Sequence, residues 1–286
     1  MPPPDAPPRQ PRSPVRRLLS VPGGWLEGFG DQMALYGRAY AWSFRALLRY
    51  KREIVRQVSA VSFGRGALAL VGGTAVIVAV LTGLAGIEVS LEGYSQLANI
   101  GVAALTGFVS AYVNTRIAAP LIAAIALIST VGAGFTAELG AMRISNEIDA
   151  LDVMAVPSIP FLITTRIIAG FIAVTPLYAI ALVSSFALSR FAVVVFFHQA
   201  SGSYDHYFST FLIPTDILYS FIEVLLMSVV IMSVHCYYGY RTTGGAAGVG
   251  EAVGRAVRLS LIAVMFVALA ASMVLYGHSN TLHLSR

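Results

Sequence analysis

Six long runs without a charged side chain dominate this sequence. The runs are Gly66–Ile87, Gly93–Thr115, Ile117–Ala137, Ile167–Ser189, Val224–Tyr240 and Leu259–Leu275. An α-helix rises about 1.5 Å per residue, so about 20 apolar residues cross the hydrocarbon core of a bilayer, which is roughly 30 Å thick. Only helices and closed barrels satisfy their backbone hydrogen bonds in that core. The sequence therefore predicts an all-α polytopic membrane protein.

Composition agrees with this class. Charged residues make up 12% of the chain, whereas a soluble globular domain has about 25%. The net charge of +5 is attributed to basic residues that orient the helices, so no nucleic-acid partner is expected. The single cysteine, Cys236, excludes an intrachain disulfide.

The distribution of basic residues predicts the orientation. Eleven of the 19 Lys and Arg residues lie at or before Arg65, and the segment Glu88–Asn99 has none. Three arginines, Arg241, Arg255 and Arg258, precede or begin the last apolar run. Because basic loops stay in the cytoplasm, the N-terminus is predicted to be cytoplasmic, whereas Glu88–Asn99 and the C-terminus are predicted to be extracytoplasmic.

The stretch Gly93–Ala137 is too long for one span and too short for two spans with a loop. Arg116 interrupts it, and Pro120 follows shortly after. We therefore expect a re-entrant or outer-leaflet helix over Leu97–Thr115, followed by a full span over Ile117–Ala137. This gives about five transmembrane helices in a transmembrane domain over residues 57–280, with a short extracytoplasmic tail over residues 281–286.

Two segments precede the apolar runs. Residues 1–22 are rich in Pro and Arg and are predicted to form a disordered cytoplasmic tail. Residues 23–56 are predicted to form an amphipathic helix in the membrane interface, because one face carries an apolar stripe and arginines lie elsewhere. The alternative is a helix packed on a soluble partner. The stripe consists of Trp25, Phe29, Met33, Tyr36, Tyr40, Phe44 and Leu47.

The segment at residues 138–156 is acidic although basic residues are expected on the cytoplasmic side. Helical spacing puts apolar side chains on one face (Ile144, Ile148, Leu151 and Ala155, with Met154 beside them) and carboxylates on the rest (Glu147, Asp149 and Asp152). Glu138 and Arg143 lie just before this helix, and Asn146 is a suitable N-cap. An apolar stripe of this width favours docking onto a soluble partner. A simple solvated loop is the alternative.

The chain lacks the means to hydrolyse ATP by itself. It has no GxxxxGK[ST] loop, and its one lysine, Lys51, has no glycine-rich sequence before it. Gly250 and Gly254 are instead expected to let the start of the last span pack closely on a neighbour. His235 and Cys236 are adjacent and have no further ligands nearby, so no metal site is predicted.

Two motifs resemble those of one family. The segment AELGAMRISNEIDALDVMAVPSIPFLITTRIIAG, Ala137–Gly170, resembles the signature of the MlaE/YrbE permeases, and YYGYRTTGGAAGVGEAVGRAV resembles the glycine-rich run before their last span. The resemblance covers about residues 50–280. It is most similar to the YrbE B-type permeases of actinobacterial Mce systems.

This resemblance implies a non-catalytic permease subunit of an ABC-type lipid transporter in the inner membrane. A second YrbE-type permease, a cytoplasmic ATPase that binds ATP and Mg, and extracytoplasmic MCE-domain proteins would be its partners, with a lipid or fatty acid as substrate. The chain itself would hold no cofactor. The acidic segment would be the coupling helix, whose ATPase-coupling residues are Glu138, Arg143, Ile144, Glu147, Ile148, Asp149, Leu151, Asp152 and Met154.

Two charged residues within the apolar region, Glu223 and Arg116, are each given two possible roles. Glu223 would pair with a basic residue of a non-identical partner permease, or would lie with Asp216 in a shallow, water-accessible outer region. Arg116 would attract an acidic lipid headgroup, or would cap the preceding helix. An ion-coupled secondary transporter and a non-transporting scaffold are the competing functional classes.

Overall fold

The computed structural model describes residues 30–63 and 73–277, and nearly all of them are helical. The predicted terminal tails, together with Trp25 and Phe29 of the apolar stripe, lie outside the described residues. The helices are α1 (residues 30–41), α2 (Ser43–Arg49), α3 (Lys51–Phe63), α4 (Thr74–Asn99), α5 (Ala103–Ile144), α6 (Glu147–Val153), α7 (Ile159–Phe196), α8 (Ser201–Phe211), α9 (Pro214–Tyr240) and α10 (Gly245–Tyr276).

Five of these helices, α4, α5, α7, α9 and α10, are long and apolar enough to cross a membrane. Each exceeds the roughly 20 residues that a bilayer core requires. The predicted all-α polytopic architecture with about five spans is therefore confirmed.

The first span ends later than the sequence predicted. The segment Glu88–Asn99 was expected to be an outer loop, but it forms the last part of α4. With 26 residues, α4 is about 39 Å long, so its last turns extend beyond a hydrocarbon core of roughly 30 Å. Glu88 and Glu92 are exposed side chains in the second half of α4, and neither of them ends the helix.

The predicted break at Arg116 is wrong. The helix α5 runs without interruption for 42 residues, about 63 Å, and passes through Arg116 in a π-helical turn over Asn114–Ala118. A second π-helical turn covers Ile128–Gly132. The residues Leu97–Thr115, which were expected to form one separate helix, instead form the end of α4, a short turn and the start of α5. Arg116 does not interrupt α5 because its charge is balanced inside the protein, as described below.

The helix pair α4 and α7 is held together by small residues and hydroxyl groups. A Cβ atom added to Gly86 would lie 2.4 Å from the backbone oxygen of Ser185. The Ser189 hydroxyl donates a hydrogen bond to the Gly86 carbonyl at 2.8 Å. The Ser184 hydroxyl donates to the Ala79 carbonyl at 2.6 Å. Small residues allow this close backbone approach, and the hydroxyl groups add interhelical hydrogen bonds where no water is available.

A single helix was predicted over residues 23–56. In the part that the structure describes, these residues form three helices, α1, α2 and the start of α3. Leu35, Ala39 and Ala46 are buried against the bundle, and the Thr164 hydroxyl donates to the Ala39 carbonyl at 3.0 Å. Phe44, from the apolar stripe, is 74% exposed. The stripe therefore turns partly outward while smaller side chains hold these helices to the bundle. Its location in the membrane interface stays a prediction.

The packing of α4 on α7 can be tested by substituting Gly86 with Val. The added methyl groups would collide with backbone of α7, so we expect a loss of about 2–3 kcal/mol in stability and a lower thermal midpoint in detergent. Gly134→Ala is the matched control, because a Cβ atom there meets no atom of the described residues within 4 Å. An equal midpoint for both variants would contradict the packing described.

Candidate functional site

The acidic segment forms a short helix at the end of α5. A turn at Ser145 and Asn146 joins α5 to α6, and Asn146 adopts a left-handed conformation with φ of 59°. Asn146 occupies the predicted N-cap position, but its side chain makes no capping hydrogen bond. The Ser145 hydroxyl instead donates to Oε1 of Glu147 at 2.9 Å. Ala155, with φ of 55°, reverses the chain after α6.

The apolar face of α6 is divided between two environments. Ile148 is fully buried in the core of the protomer, and Leu151 packs against that core. Ile144 at the end of α5, Val153 at the end of α6 and Met154 just after it are 41%, 88% and 63% exposed. The expectation that Ile148 contacts a partner is therefore wrong, since this side chain anchors α6 to the bundle. Val153 was missed because it lies beside the predicted stripe.

The carboxylates of α6 remain at the surface, and one of them fastens α6 to α5. Nη1 of Arg143 lies 2.7 Å from Oδ1 of Asp149, in an exposed ion pair. Glu147 and Asp152 are exposed. Within the described residues, neither of them pairs with an arginine or lysine. These two side chains are the carboxylates most available to a basic partner.

Glu138 points toward the protomer rather than toward a partner. One of its carboxylate oxygens lies 3.1 Å from Nη2 of Arg166, whose side chain is only 3% exposed. Arg166 also donates from Nη1 to the Leu162 carbonyl at 3.0 Å. The pair links α5 to α7 beside α6. The sequence showed an arginine in this helix, but no spacing rule connects it to Glu138.

A second charged cluster joins the other end of α5 to α9. The Nε and Nη2 atoms of Arg116 lie 2.9 Å and 2.7 Å from Oδ2 of Asp216, and both side chains are buried. The guanidinium also lies between the rings of Tyr112 and Tyr276, 4.4 Å and 4.6 Å from their centroids. Arg116 is therefore an internal ion-pair residue. It caps no helix end, and its charge does not face a free lipid headgroup.

Glu223 lies inside the protomer at 2% exposure, on the buried face of α9. Its Oε2 atom has no hydrogen-bond partner in the described part of the chain. Both hypotheses for this residue are corrected by this burial. It is neither in a shallow water-accessible region nor at a surface where a partner permease could pair with it directly, and Asp216 is likewise buried.

The remaining predicted positions lie at the start of α10 and in the middle of α9. A Cβ atom at Gly250 would meet nothing within 4 Å, and one at Gly254 would meet only Arg258 at 3.7 Å. Among the described residues, neither glycine packs closely on another helix, so their use in permease pairing stays a prediction. His235 is buried, with Nδ1 2.7 Å from the Thr136 hydroxyl, and it packs α9 against α5.

Comparison with known proteins places this geometry in a family. A family model described as Permease MlaE matches residues 63–274. The match includes α4, α5, α7 and α9, all but the last two residues of α10, the short acidic helix α6 and both charged pairs.

Individual relatives agree with that match. The chain is 30% identical over 183 residues to Protein TRIGALACTOSYLDIACYLGLYCEROL 1, chloroplastic, of Arabidopsis thaliana, covering 63% of this chain and 51% of that protein. It therefore spans about half the length of that relative. It is 28% identical over 204 residues to a probable ABC transporter permease protein of Synechocystis, covering 68% and 74% of the two chains. A probable ABC transporter permease protein of Pyropia yezoensis is 24% identical over 246 residues, covering 84% and 88%.

The anchoring role of Ile148 can be tested by truncation. Ile148→Ala removes a fully buried side chain, so we expect a loss of about 2–4 kcal/mol and faster hydrogen exchange in α6. Val153→Ala is the control, since Val153 is 88% exposed and its loss leaves no internal cavity. If the two variants exchange alike, Ile148 does not anchor the helix.

The Arg116–Asp216 pair can be tested by a double-mutant cycle. Arg116→Gln or Asp216→Asn alone leaves one buried charge without its partner, and each is expected to destabilise the protein by about 3–5 kcal/mol. The double variant should be less destabilised than the sum of the two, which thermal denaturation in detergent can measure. Strict additivity would show that the pair does not interact.

Proposed function

This chain belongs to the MlaE permease family, and we propose that it is the transmembrane subunit of an ATP-driven lipid importer of the Mce type. The proposed complex contains a separate cytoplasmic ATPase that binds ATP and Mg, a second permease of the YrbE type and extracytoplasmic MCE-domain proteins. This chain supplies the path through the inner membrane and no catalytic group.

The observation that carries the proposal is the surface of α6. Glu147 and Asp152 are exposed carboxylates, and Ile144, Val153 and Met154 are exposed apolar side chains beside them. Apolar side chains in contact with water favour association, while unpaired carboxylates favour a partner with basic residues. A docking groove of the ATPase with an apolar floor and basic edges has the matching chemistry.

The attachment of α6 to the bundle supports a role in transmitting force. Ile148 holds α6 in the core, and the Arg143–Asp149 ion pair fastens it to α5. A displacement of α6 by the ATPase would therefore be carried to α5 rather than absorbed by a loose loop. The Glu138–Arg166 pair would carry the same displacement to α7.

The proposed orientation places α6 in the cytoplasm with the N-terminus, and the C-terminus outside. It rests on the concentration of Lys and Arg before the first span, because basic segments remain on the cytoplasmic side. Pairing with a non-identical permease, import as the direction, and a lipid or fatty acid as cargo rest on the resemblance to Mce systems.

One observation favours a second candidate function. A buried carboxylate with an unpartnered oxygen, such as Glu223, is a feature of carriers that bind a proton within the membrane. An ion-coupled transporter would therefore lose activity when the proton gradient is dissipated. The proposed ATP-driven importer would lose activity when its ATPase is depleted.

The coupling role of α6 can be tested by charge reversal. Glu147→Lys combined with Asp152→Lys should leave the protein inserted and folded, because both side chains are exposed. Lipid transport in membranes containing the complex should fall at least about tenfold as docking weakens. Glu251→Lys, an exposed acid on α10, is the control and should transport normally. Unimpaired transport by the double variant would show that α6 is not the docking site.

A further inference from the structure

One chain of buried hydrogen bonds joins four helices at the end of the bundle where α8 lies. The Tyr204 hydroxyl of α8 donates to Oγ of Ser110 on α5 at 2.8 Å. Nδ2 of Asn114, one turn further along α5, donates to Ser110 at 3.2 Å and to Oγ of Ser189 on α7 at 2.8 Å. The Ser189 hydroxyl in turn donates to the Gly86 carbonyl of α4. These four side chains are buried, so they satisfy one another rather than bulk water.

The orientation of the Asn114 amide follows from these bonds. The Ser189 hydroxyl has one hydrogen, which it gives to the Gly86 carbonyl, so toward Asn114 it can only accept. The amide group that faces Ser189 is therefore Nδ2, and both of its hydrogens are used. Oδ1 faces elsewhere, and no donor within the described residues reaches it. Buried amide oxygens are normally hydrogen-bonded, so this atom indicates a donor that these residues do not supply.

A second unpartnered oxygen lies next to the same chain of bonds. A Cβ atom added to Gly86 would lie 2.8 Å from Oγ of Ser189 and 2.9 Å from Oγ of Ser185. The two hydroxyl groups therefore flank one point of α4. Ser185 is fully buried, and its Oγ atom has no partner in the part of the chain that the structure describes.

Ser90 on α4 supplies a third oxygen of this kind. It is fully buried, and its Oγ atom is unpartnered among residues 30–63 and 73–277. A helical serine commonly donates to the carbonyl four residues before it, which for Ser90 is that of Gly86. That carbonyl already accepts the helical N–H of Ser90 and the Ser189 hydroxyl, so both of its lone pairs are used. The Ser90 hydroxyl therefore needs an acceptor outside its own helix.

The packing of α4 on α5 places Ser90 beside Asn114. The two helices are joined by residues 100–102 and pack on each other, so they run in opposite directions. A Cβ atom added to Gly93 of α4 would lie 2.8 Å from Cγ1 of Val109 on α5. Ser90 is almost one turn before Gly93, and it therefore lies further along α5 than Val109, at the turn that leads to Asn114.

The three oxygens have the chemistry of a site for a neutral, hydrogen-bonding ligand. An amide oxygen only accepts, whereas a serine hydroxyl both donates and accepts. None of the side chains in this hydrogen-bonded group is charged, so a buried cation would lack a counter-charge, which is costly. Buried water molecules make about three hydrogen bonds to otherwise unsatisfied polar groups. One water matches these three oxygens in number and in kind.

We propose that a buried water molecule bridges Asn114, Ser185 and Ser90 where α5, α7 and α4 meet. The water donates to Oδ1 of Asn114 and accepts from the two serine hydroxyls. It extends the chain of bonds that begins at α8 into a network that ties these three spans together. Asn114 is the first residue of a π-helical turn, so the water also fixes the start of that turn against α4 and α7. The site is independent of the transported substrate and of the energy source.

Truncation of the two serines tests for the water, because the sign of the effect depends on it. Ser90→Ala and Ser185→Ala each remove a hydrogen bond to the water, so each should lower the thermal midpoint by about 2–4 °C. The midpoint is measured in detergent on the full chain purified with its associated subunits. A buried hydroxyl without any partner is costly, so its removal would leave the midpoint unchanged or raise it. That result would overturn the site.

Ser228→Ala is the matched control for these truncations. Ser228 is also a fully buried helical serine, but its hydroxyl donates to the Leu225 carbonyl of its own helix at 2.8 Å. Its removal leaves no other side chain without a partner, so the midpoint should change less than in Ser90→Ala or Ser185→Ala. An equal loss in the control would show that the effect is general to buried serines and would overturn the assignment.

Combining the two truncations tests whether one water serves both serines. Once Ser90→Ala has weakened the binding of the water, Ser185→Ala should cost less than it does in the unaltered chain. Additive losses would show that the two hydroxyl groups lie in separate environments, which would overturn a shared water.

Imaging and ion exchange identify the occupant. A cryo-electron-microscopy map of the complex that resolves ordered water should show density about 2.7–3.0 Å from Oδ1 of Asn114. No density there in such a map would overturn the proposal. The midpoint should be the same in sodium chloride and in choline chloride at equal ionic strength. A rise that is specific to sodium and lost in Ser90→Ala would overturn the water in favour of a bound sodium ion.

Discussion

The absence of water from the bilayer core constrains this protein more than any single contact. Each backbone N–H and C=O group there must be satisfied inside the protein, and a segment that crosses as a helix satisfies these groups within itself. Helices in lipid gain little from burying apolar surface, because the lipid tails are equally apolar. Their association therefore depends on close backbone approach and on polar contacts. Close backbone approach is seen where Gly86 contacts Ser185. A polar contact is seen in the buried Arg116–Asp216 pair.

The same constraint explains which parts of the fold could be predicted from sequence. The existence of the spans follows from charge-free runs, and the number of about five is confirmed. The boundaries failed where a charged residue was taken as the end of a helix. Glu88 lies inside α4, which continues for eleven residues beyond it. Arg116 stays inside α5 because Asp216, which is 100 residues away in the sequence, neutralises it.

Prediction of the candidate site met a similar limit. Helical spacing identified α6 and its two faces, since both are local properties of about twelve residues. It could not show that the apolar face is shared between the protomer and the exterior. Ile148 and Val153 are both aliphatic residues of one short helix, yet one is fully buried and the other 88% exposed. Which of these side chains is buried depends on how the long helices pack against α6. The pairing of Glu138 with Arg166 depends on the same packing.

The length of α5 has a mechanical consequence. A rod of 42 residues, about 63 Å, that tilts by about 5° about one end moves its other end by about 5 Å. That displacement is about one helical turn, the distance by which side chains exchange neighbours across a helix interface. The two π-helical turns are the places where such a rod can bend, and one of them carries Arg116. Under the proposed coupling, a small rotation imposed beside α6 would change contacts at the far end of α5 as long as these turns stay straight, and bending at either turn would absorb it.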